Sequence, residues 1–322
     1  MTLAHSPARD VDAGSGIELA GLRLAHPVLN GSGTFDAIAA LRTFGDELRE
    51  RFPFAAFVSK TITLAPRGGN GTPRLWEAPA GLINSIGLPN KGLEGFLARD
   101  LPELATLPVP LIVSVAGFSH DEFAALVAGV GERDEVAALE LNVSCPNVKS
   151  GCVIGTEAGE MTALMGRVRP LTTKPLIVKL TPNVSDVVPV ARAAEEGGAD
   201  ALSLINTLRA AAVDPGTGNP WLGAGQGGLS GPAVRAVALA LTSQVAAHTT
   251  LPIVGMGGIQ GGRDALDFLS VGACCVAVGT ETFRDPAAGS RVRDELDQEL
   301  SARAMRGPGE VTVAARRRLR VA

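Results

Sequence analysis

The chain of 322 residues is poor in cysteine and histidine and has no surplus of either charge. Its four cysteines, Cys145, Cys152, Cys274 and Cys275, form neither a CxxC pair nor the ligand spacing of a zinc or iron-sulfur site, so no metal centre is expected on this chain. With no signal peptide ahead of them, such thiols point to a reducing, cytoplasmic setting. Lys plus Arg number 29 against 33 Asp plus Glu, and the net charge of −4 offers no electrostatic pull toward nucleic acid or anionic lipid. A small, diffusible substrate fits that balance better. No stretch approaches the roughly 20 apolar residues needed to cross a bilayer. Residues 1–16 open with the polar, aperiodic "MTLAHSPARDVD" and read as a flexible N-terminal segment.

What the chain does have is apolar strand-like runs in regular supply. "PVLNGS" (27–32), "AAFVSKTI" (55–62), "PLIVSVAG" (110–117), "ALELNVS" (138–144), "PLIVKLT" (175–181), "ALSLIN" (201–206), "LPIVGMGG" (251–258) and "CCVAVGT" (274–280) make eight. Stretches of helical period such as "DEFAALVAGVGE" and "GPAVRAVALALTSQVAAHT" lie between most of them. Alternation of this kind builds a parallel sheet covered by helices, and eight units are the count of a closed (β/α)8 TIM barrel; an open doubly wound sheet is the competitor. A single barrel domain is expected over residues 17–303, followed by a basic C-terminal tail, 304–322, whose "ARRRLRVA" reads as a solvated end. The connections after the second and sixth strands are long and glycine-rich, and are expected to lie over the C-terminal face as βα loops that shape a site.

Polar residues gather where those strands end. Gly257 and Gly258 follow the seventh strand, Gly279 and Thr280 the eighth, and barrels commonly build a phosphate site from these two loops. Lys60 and Lys179 close otherwise apolar strands, "FVSK" and "LIVK", where a charge is costly unless it meets an anion or reaches solvent at the rim. A Schiff-base lysine of an aldolase-type barrel is the rival chemistry. Asn84, Asn142, Asn147 and Asn206 supply paired amide donors and acceptors suited to an imide-like ring. Cys145 lies just past the fourth strand, in "NVSCPN", and can act as base or nucleophile once deprotonated. His5, His26, His120 and His248 are not placed to activate it, which favours proton abstraction over acyl transfer. Cys274 and Cys275, inside the eighth strand, read as small hydrophobes.

The motifs "LELNVSCPNVKSG", "SKTITLAPRGGNGTPRLWE", "INSIGLPNKG", "KPLIVKLTPNVSD", "SLINTL", "GGLSGPAVR", "LPIVGMGGI" and "VAVGTETF", in this order, resemble dihydroorotate dehydrogenases. The resemblance implies an FMN-containing barrel that oxidises dihydroorotate to orotate in pyrimidine synthesis, with one FMN per chain. It implies that Cys145 is the base taking the C5 proton, as in the cytosolic class 1 enzymes, and that the C6 hydride passes to N5 of FMN. Carried over by position, FMN would meet Ser32, Lys60, Thr61, Asn142, Lys179, Ile205, Gly231, Gly257, Gly258, Gly279 and Thr280. Ser114 stands where related sequences usually carry an asparagine that touches the flavin. Substrate would meet Lys60, Asn84, Ser85, Ile86, Gly87, Leu88, Asn142, Asn147, Asn206 and Thr207. "SKTITLAPR", "INTL" and the long "DPGTGNPWLGAGQGGLSGP" look like the B type rather than the fumarate-using A type. That likeness implies a homodimer joined, in a heterotetramer, by a partner subunit that carries FAD and a [2Fe-2S] cluster and passes electrons to NAD. A dihydropyrimidine-type reductase domain and an inactive flavin-binding assembly module are the alternatives.

Overall fold

The computed structural model describes residues 17–144 and 154–321, so Cys145, Asn147, Cys152 and the N-terminal segment 1–16 lie outside the described residues. In chain order the strands are β1 (Ile17–Leu19), β2 (Leu22–Leu24), β3 (Val28–Asn30), β4 (Phe57–Val58), β5 (Leu75–Ala78), β6 (Gly81–Asn84), β7 (Leu111–Val115), β8 (Ala138–Asn142), β9 (Leu176–Lys179), β10 (Ala201–Leu204), β11 (Leu208–Ala210), β12 (Gly227–Ser230), β13 (Ile253–Met256) and β14 (Cys275–Val278). Eight of them form one parallel sheet in the order β3-β14-β13-β10-β9-β8-β7-β4, each being one of the runs read from the sequence. Helical segments lie in the connection after each strand of that sheet, among them His120–Gly131 after β7, Ala158–Val168 after β8 and Arg235–His248 after β10. This is the (β/α)8 barrel.

The sheet ends β3 and β4 meet without a strand ladder. Ala55 N donates to Val28 O at 2.9 Å, and the Asn30 side chain completes the ring. Its Nδ2 donates to Val58 O and its Oδ1 accepts from Val58 N, both at 2.8 Å. A fully buried amide thus stands in for a peptide group, with both of its functions satisfied.

Alternation along each strand sorts the core into two. Outward residues such as Leu139 and Leu141 of β8 or Leu176 and Val178 of β9 pack under the helices. Inward residues such as Leu29, Val58, Ile112, Ala138, Ile177, Ala201, Val254 and Cys275 fill the barrel, and the β1–β2 hairpin adds Ile17, Leu19 and Leu24 beneath them. Continuing the same alternation upward puts Ser114, Glu140, Asn142, Lys179 and Ser203 on the inside as well. The interior therefore changes from apolar to polar toward the C-terminal ends of the strands.

Two expectations need correction. The long connections after β4 and β10 are not merely loops: they contribute β5, β6, β11 and β12 to a four-stranded antiparallel sheet, ordered β11-β12-β6-β5. Trp76 and Trp221 pack edge to face across it, with ring centroids 4.9 Å apart, beside Ile83, Ala212 and Leu222. The basic C-terminal stretch is no solvated end either. Pro308–Val321 is a helix that buries Val311 and Ala315, and Thr312 Oγ1 donates to Ala273 O at 2.7 Å. Arg316 donates to the carbonyls of Gly272, Thr250 and Leu251, at 2.9, 3.3 and 2.7 Å, which ties the helix to the turns that lead into β13 and β14. Of the two cysteines read as small hydrophobes, Cys275 is fully buried, whereas Cys274 is half-buried with Sγ 3.4 Å from Ile253 O.

Candidate functional site

At one side of the barrel mouth the chain presents backbone. Gly231, Gly257 and Gly258 have φ of 92°, 126° and 79°, conformations that favour glycine. There is also no room for a side chain: a Cβ at Gly258 would lie 2.7 Å from Arg235 Cβ and 2.9 Å from Gly231 O, and one at Gly257 would lie 2.9 Å from Ala238 Cβ. Thr280 Oγ1 donates to Ser230 Oγ at 2.8 Å, which links the β14 loop to the end of β12. Behind these loops stands a brace of charges. Asp264 accepts from Gln260 N and Gly261 N, at 2.8 and 3.2 Å, and pairs with Arg235. Arg291 donates to Gln260 O at 2.8 Å and pairs with Glu281 and Asp285, so one guanidinium holds both glycine loops in place. Ser230, Asp264 and Arg291 were not singled out by the sequence reading.

Across the mouth the site is made of side chains. Ser32 Oγ donates to Ser59 O at 2.8 Å and lies 3.0 Å from Thr61 Oγ1, which lies 2.9 Å from Ser114 Oγ. Asn142 Nδ2 reaches Thr61 Oγ1 at 3.3 Å, and Asn206 Nδ2 donates to Asn142 Oδ1 at 3.2 Å and to Ser144 Oγ at 2.8 Å. One hydrogen-bonded chain therefore runs from Ser32 to Asn206, through residues contributed by five strand ends. Ser114 is fully buried beneath Thr61, so its hydroxyl is a support of this chain.

The segment Asn84–Leu88 is held from both sides. Asn84 Nδ2 donates to Gly228 O at 3.3 Å, from β6 to β12. Asn70 Nδ2 donates to Ser85 Oγ at 2.9 Å and Asn70 N to Ile86 O at 3.1 Å; Asn90 Nδ2 donates to Leu88 O at 2.8 Å. Gly87 and Leu88 both have positive φ, 77° and 53°, so successive backbone groups turn toward one side. Asn183 fixes the next corner: its Nδ2 donates to Thr207 O at 3.0 Å and its Oδ1 accepts from Arg209 N at 2.8 Å. Ser144, Thr181, Asn183, Asn206, Thr207 and Gly228 are among the residues that line a cavity of about 220 Å³ at this end.

The two lysines differ. Lys60 stands at the open mouth beside Gly33, and loss of hydration pulls its pKa below the usual lysine range, with the Asp36 charge acting in the opposite sense. Lys179 is 7 % exposed, and no carboxylate lies within ion-pair distance of it among the described residues. A buried ammonium with no counter-ion costs several kcal/mol unless a bound anion or acceptor meets it. Closely apposed glycine loops, a buried cation and amide side chains at one end of the barrel fit a flavin mononucleotide. The structure brings together Ser32, Thr61, Ser114, Asn142 and Asn206 directly; Thr207 lines the cavity with Asn206 and with Gly228, to which Asn84 is bonded, and Ile205 lies against Gly257. Among the described residues no group of three or more His, Cys, Asp or Glu side chains could hold a metal ion.

A (β/α)8 barrel with glycine-rich loops and a convergent polar cleft at its C-terminal face has the layout of the barrel enzymes, which carry their sites at that end. Within that class the chain belongs to the dihydroorotate dehydrogenase family, whose model matches residues 16–300. It is 46 % identical over 305 residues to the dihydroorotate dehydrogenase B (NAD(+)) catalytic subunit of Desulforudis audaxviator, covering 94 % of this chain and 97 % of that one. The proteins of the same name from Citrifermentans bemidjiense and Trichlorobacter lovleyi are 44 % and 43 % identical, over 88 % and 89 % of this chain and 92 % and 93 % of theirs.

Proposed function

We propose that the chain is the FMN-containing catalytic subunit of a B-type dihydroorotate dehydrogenase, oxidising dihydroorotate to orotate in pyrimidine synthesis. The observation that carries this reading is the hydrogen-bonded chain Ser32–Thr61–Asn142–Asn206 lying in the same mouth as the glycine cradle. When bound, FMN supplies the acceptor for the substrate's C6 hydride. The N–H groups around Gly231, Gly257, Gly258, Gly279 and Thr280 would hold its phosphate, and Lys179 its pyrimidine edge.

On the substrate side, the amides of Asn84, Asn142 and Asn206 orient the ring, since a side-chain amide matches an imide edge in donors and acceptors. Asn147 extends that set. The turned backbone at Ile86–Leu88 and the Lys60 ammonium receive the carboxylate. Cys145 Sγ, as thiolate, takes the C5 proton. Thr61 and Ser114 keep Asn142 oriented through their hydroxyl relay.

In the cell the electrons leave toward NAD through a partner subunit bearing FAD and a [2Fe-2S] cluster, in a heterotetramer built on a homodimer. Among the described residues no helix is long and apolar enough to cross a membrane, which accords with a cytoplasmic setting. The test is the visible spectrum of the purified chain. A flavin spectrum bleached by dihydroorotate and untouched by dihydrouracil supports the reading. Bleaching by dihydrouracil would favour a dihydropyrimidine-type reductase, turnover with fumarate the A type, and a flavin inert to both an inactive binding module.

A further inference from the structure

Glu140 is an ionisable side chain inside the barrel that the proposed reaction does not use. It sits on β8 two residues before Asn142, is 3 % exposed, and points inward by the strand alternation. Its Oε2 accepts from Ser203 Oγ at 3.0 Å, although β8 and β10 are not neighbours and β9 runs between them. Alternate strands of such a barrel fill one interior layer, and the intervening strand fills the layers above and below. Lys179 of β9 is paired in register with Asn142 on one side and Ser203 on the other. It therefore occupies the layer directly over the Glu140–Ser203 bond, between that bond and the mouth. The second oxygen, Oε1, is buried and has no hydrogen-bond partner.

A carboxylate with one bare oxygen is costly in an apolar interior, and so is an ammonium without a counter-ion. Placed one layer apart, and both almost wholly shielded from solvent, the two lower each other's cost. We propose that Glu140 is the built-in counter-charge of the cofactor site, a positioning residue held by Ser203 beneath Lys179. It offsets the lysine's charge and so holds the bound flavin at a lower reduction potential than the lysine alone would set. The inference rests on the FMN reading given above. A purely structural role predicts something different, because glutamine has the same shape and its amide oxygen can still accept from Ser203.

The experiment is a potentiometric titration, at pH 7, of the flavin bound to the full-length wild type, Glu140→Gln and Ser203→Ala, with flavin content and melting temperature measured alongside. Glu140→Gln is expected to retain FMN and to favour the reduced flavin tenfold or more, which is about 30 mV upward for a two-electron couple. Ser203→Ala, which releases the carboxylate from its anchor, is expected to shift the same equilibrium in the same direction by less. An unchanged or lower potential in flavin-loaded Glu140→Gln overturns the proposal. If that variant does not fold, an unchanged potential in Ser203→Ala overturns it instead. A wild type that purifies without FMN and does not take it up would count against the functional reading rather than against this inference.

Discussion

At the lower end of the barrel the chain closes itself with its own apolar side chains. Ile17, Leu19 and Leu24 plug the interior, and the helix Pro308–Val321 is bound to the turns before β13 and β14 by Arg316. At the upper end the same strands stop in Ser114, Asn142, Lys179, Asn206 and paired glycines, and the interior is left open to a ligand. Ionisable groups fare differently at the two ends. Below, Arg316 is met by three carbonyls and His26 is pressed toward its neutral form. Above, Lys60 and Lys179 have no carboxylate in ion-pair contact among the described residues. Lysines without a direct ion pair beside an open cavity are available to a ligand, so changes above should act on binding and turnover, and changes below on stability.

The sharpest break in this comparison is Cys145→Ser. Reduction of the flavin by dihydroorotate at neutral pH should fall by roughly 10²- to 10⁴-fold, with melting temperature and flavin content unchanged, because a serine hydroxyl is a far poorer base. Rapid-mixing absorbance measures it, and wild-type rates in the variant would remove Cys145 from its role.

His26 tests the lower end. Burial, reinforced by Arg293 and opposed by Asp294, lowers its pKa from 6.5 to about 4. The unfolded chain then binds the proton more readily than the folded one. Stability is expected to decline as pH falls from about 6.5 to about 4, by at most about 3 kcal/mol. Denaturant titrations of the wild type and His26→Gln across that range should diverge, while kcat at pH 7 stays the same; parallel curves would refute the assignment.

Gly258→Ala comes next. The positive φ and the contacts to Arg235 and Gly231 force the loop to shift, and FMN affinity should drop roughly tenfold or more, read by flavin fluorescence on titrating apoprotein. Asn206→Ala removes the amide donor to Asn142 Oδ1 and Ser144 Oγ, and leaves Asn142 Oδ1 only the Ser144 N–H at 3.4 Å. An effect of about 1–2 kcal/mol, or roughly 5- to 30-fold, is expected on KM for dihydroorotate, with flavin content unaffected. Equal losses of flavin and of substrate affinity would show that the two sides of the mouth are not separable. The smallest effect is expected for Arg316→Ala, whose freed carbonyls can be hydrated in part. A melting temperature lowered by roughly 2–5 °C at constant kcat would fit; lost activity at unchanged stability would contradict the division between the ends.

The eight strands were legible because each is a short apolar run flanked by helical periodicity, and the glycine loops because Gly257, Gly258 and Gly279 fall at the ends of two adjacent strands. The antiparallel sheet over the mouth was hidden. Gly227–Ser230 is too rich in glycine to look like a strand, and its partner β6 lies well over a hundred residues earlier. The docking of the C-terminal helix was concealed by its arginines, which resemble a solvated face until the three carbonyls around Arg316 are seen. Arg291 escaped notice for the same reason. Asn142, Asn206 and Lys60 could be picked out because a polar residue ending an apolar strand is conspicuous, whereas Glu140, in mid-strand, was passed over inside "LELN". The roles of Cys145 and Asn147 rest on sequence resemblance, since both lie outside the described residues.

The Asn30 bridge makes the β3–β4 joint unlike the other seams of the barrel. Elsewhere neighbouring strands share a backbone ladder; here both groups of Val58 depend on one side chain, with Ala55 N–Val28 O and Ser32 Oγ–Ser59 O on either side of it. The Val58 amide should accordingly exchange with deuterium sooner than amides in the ladder of β8 and β9. Ser32 and Lys60 each lie two residues beyond that joint, so the seam that closes the barrel by side chains is also the one nearest the mouth.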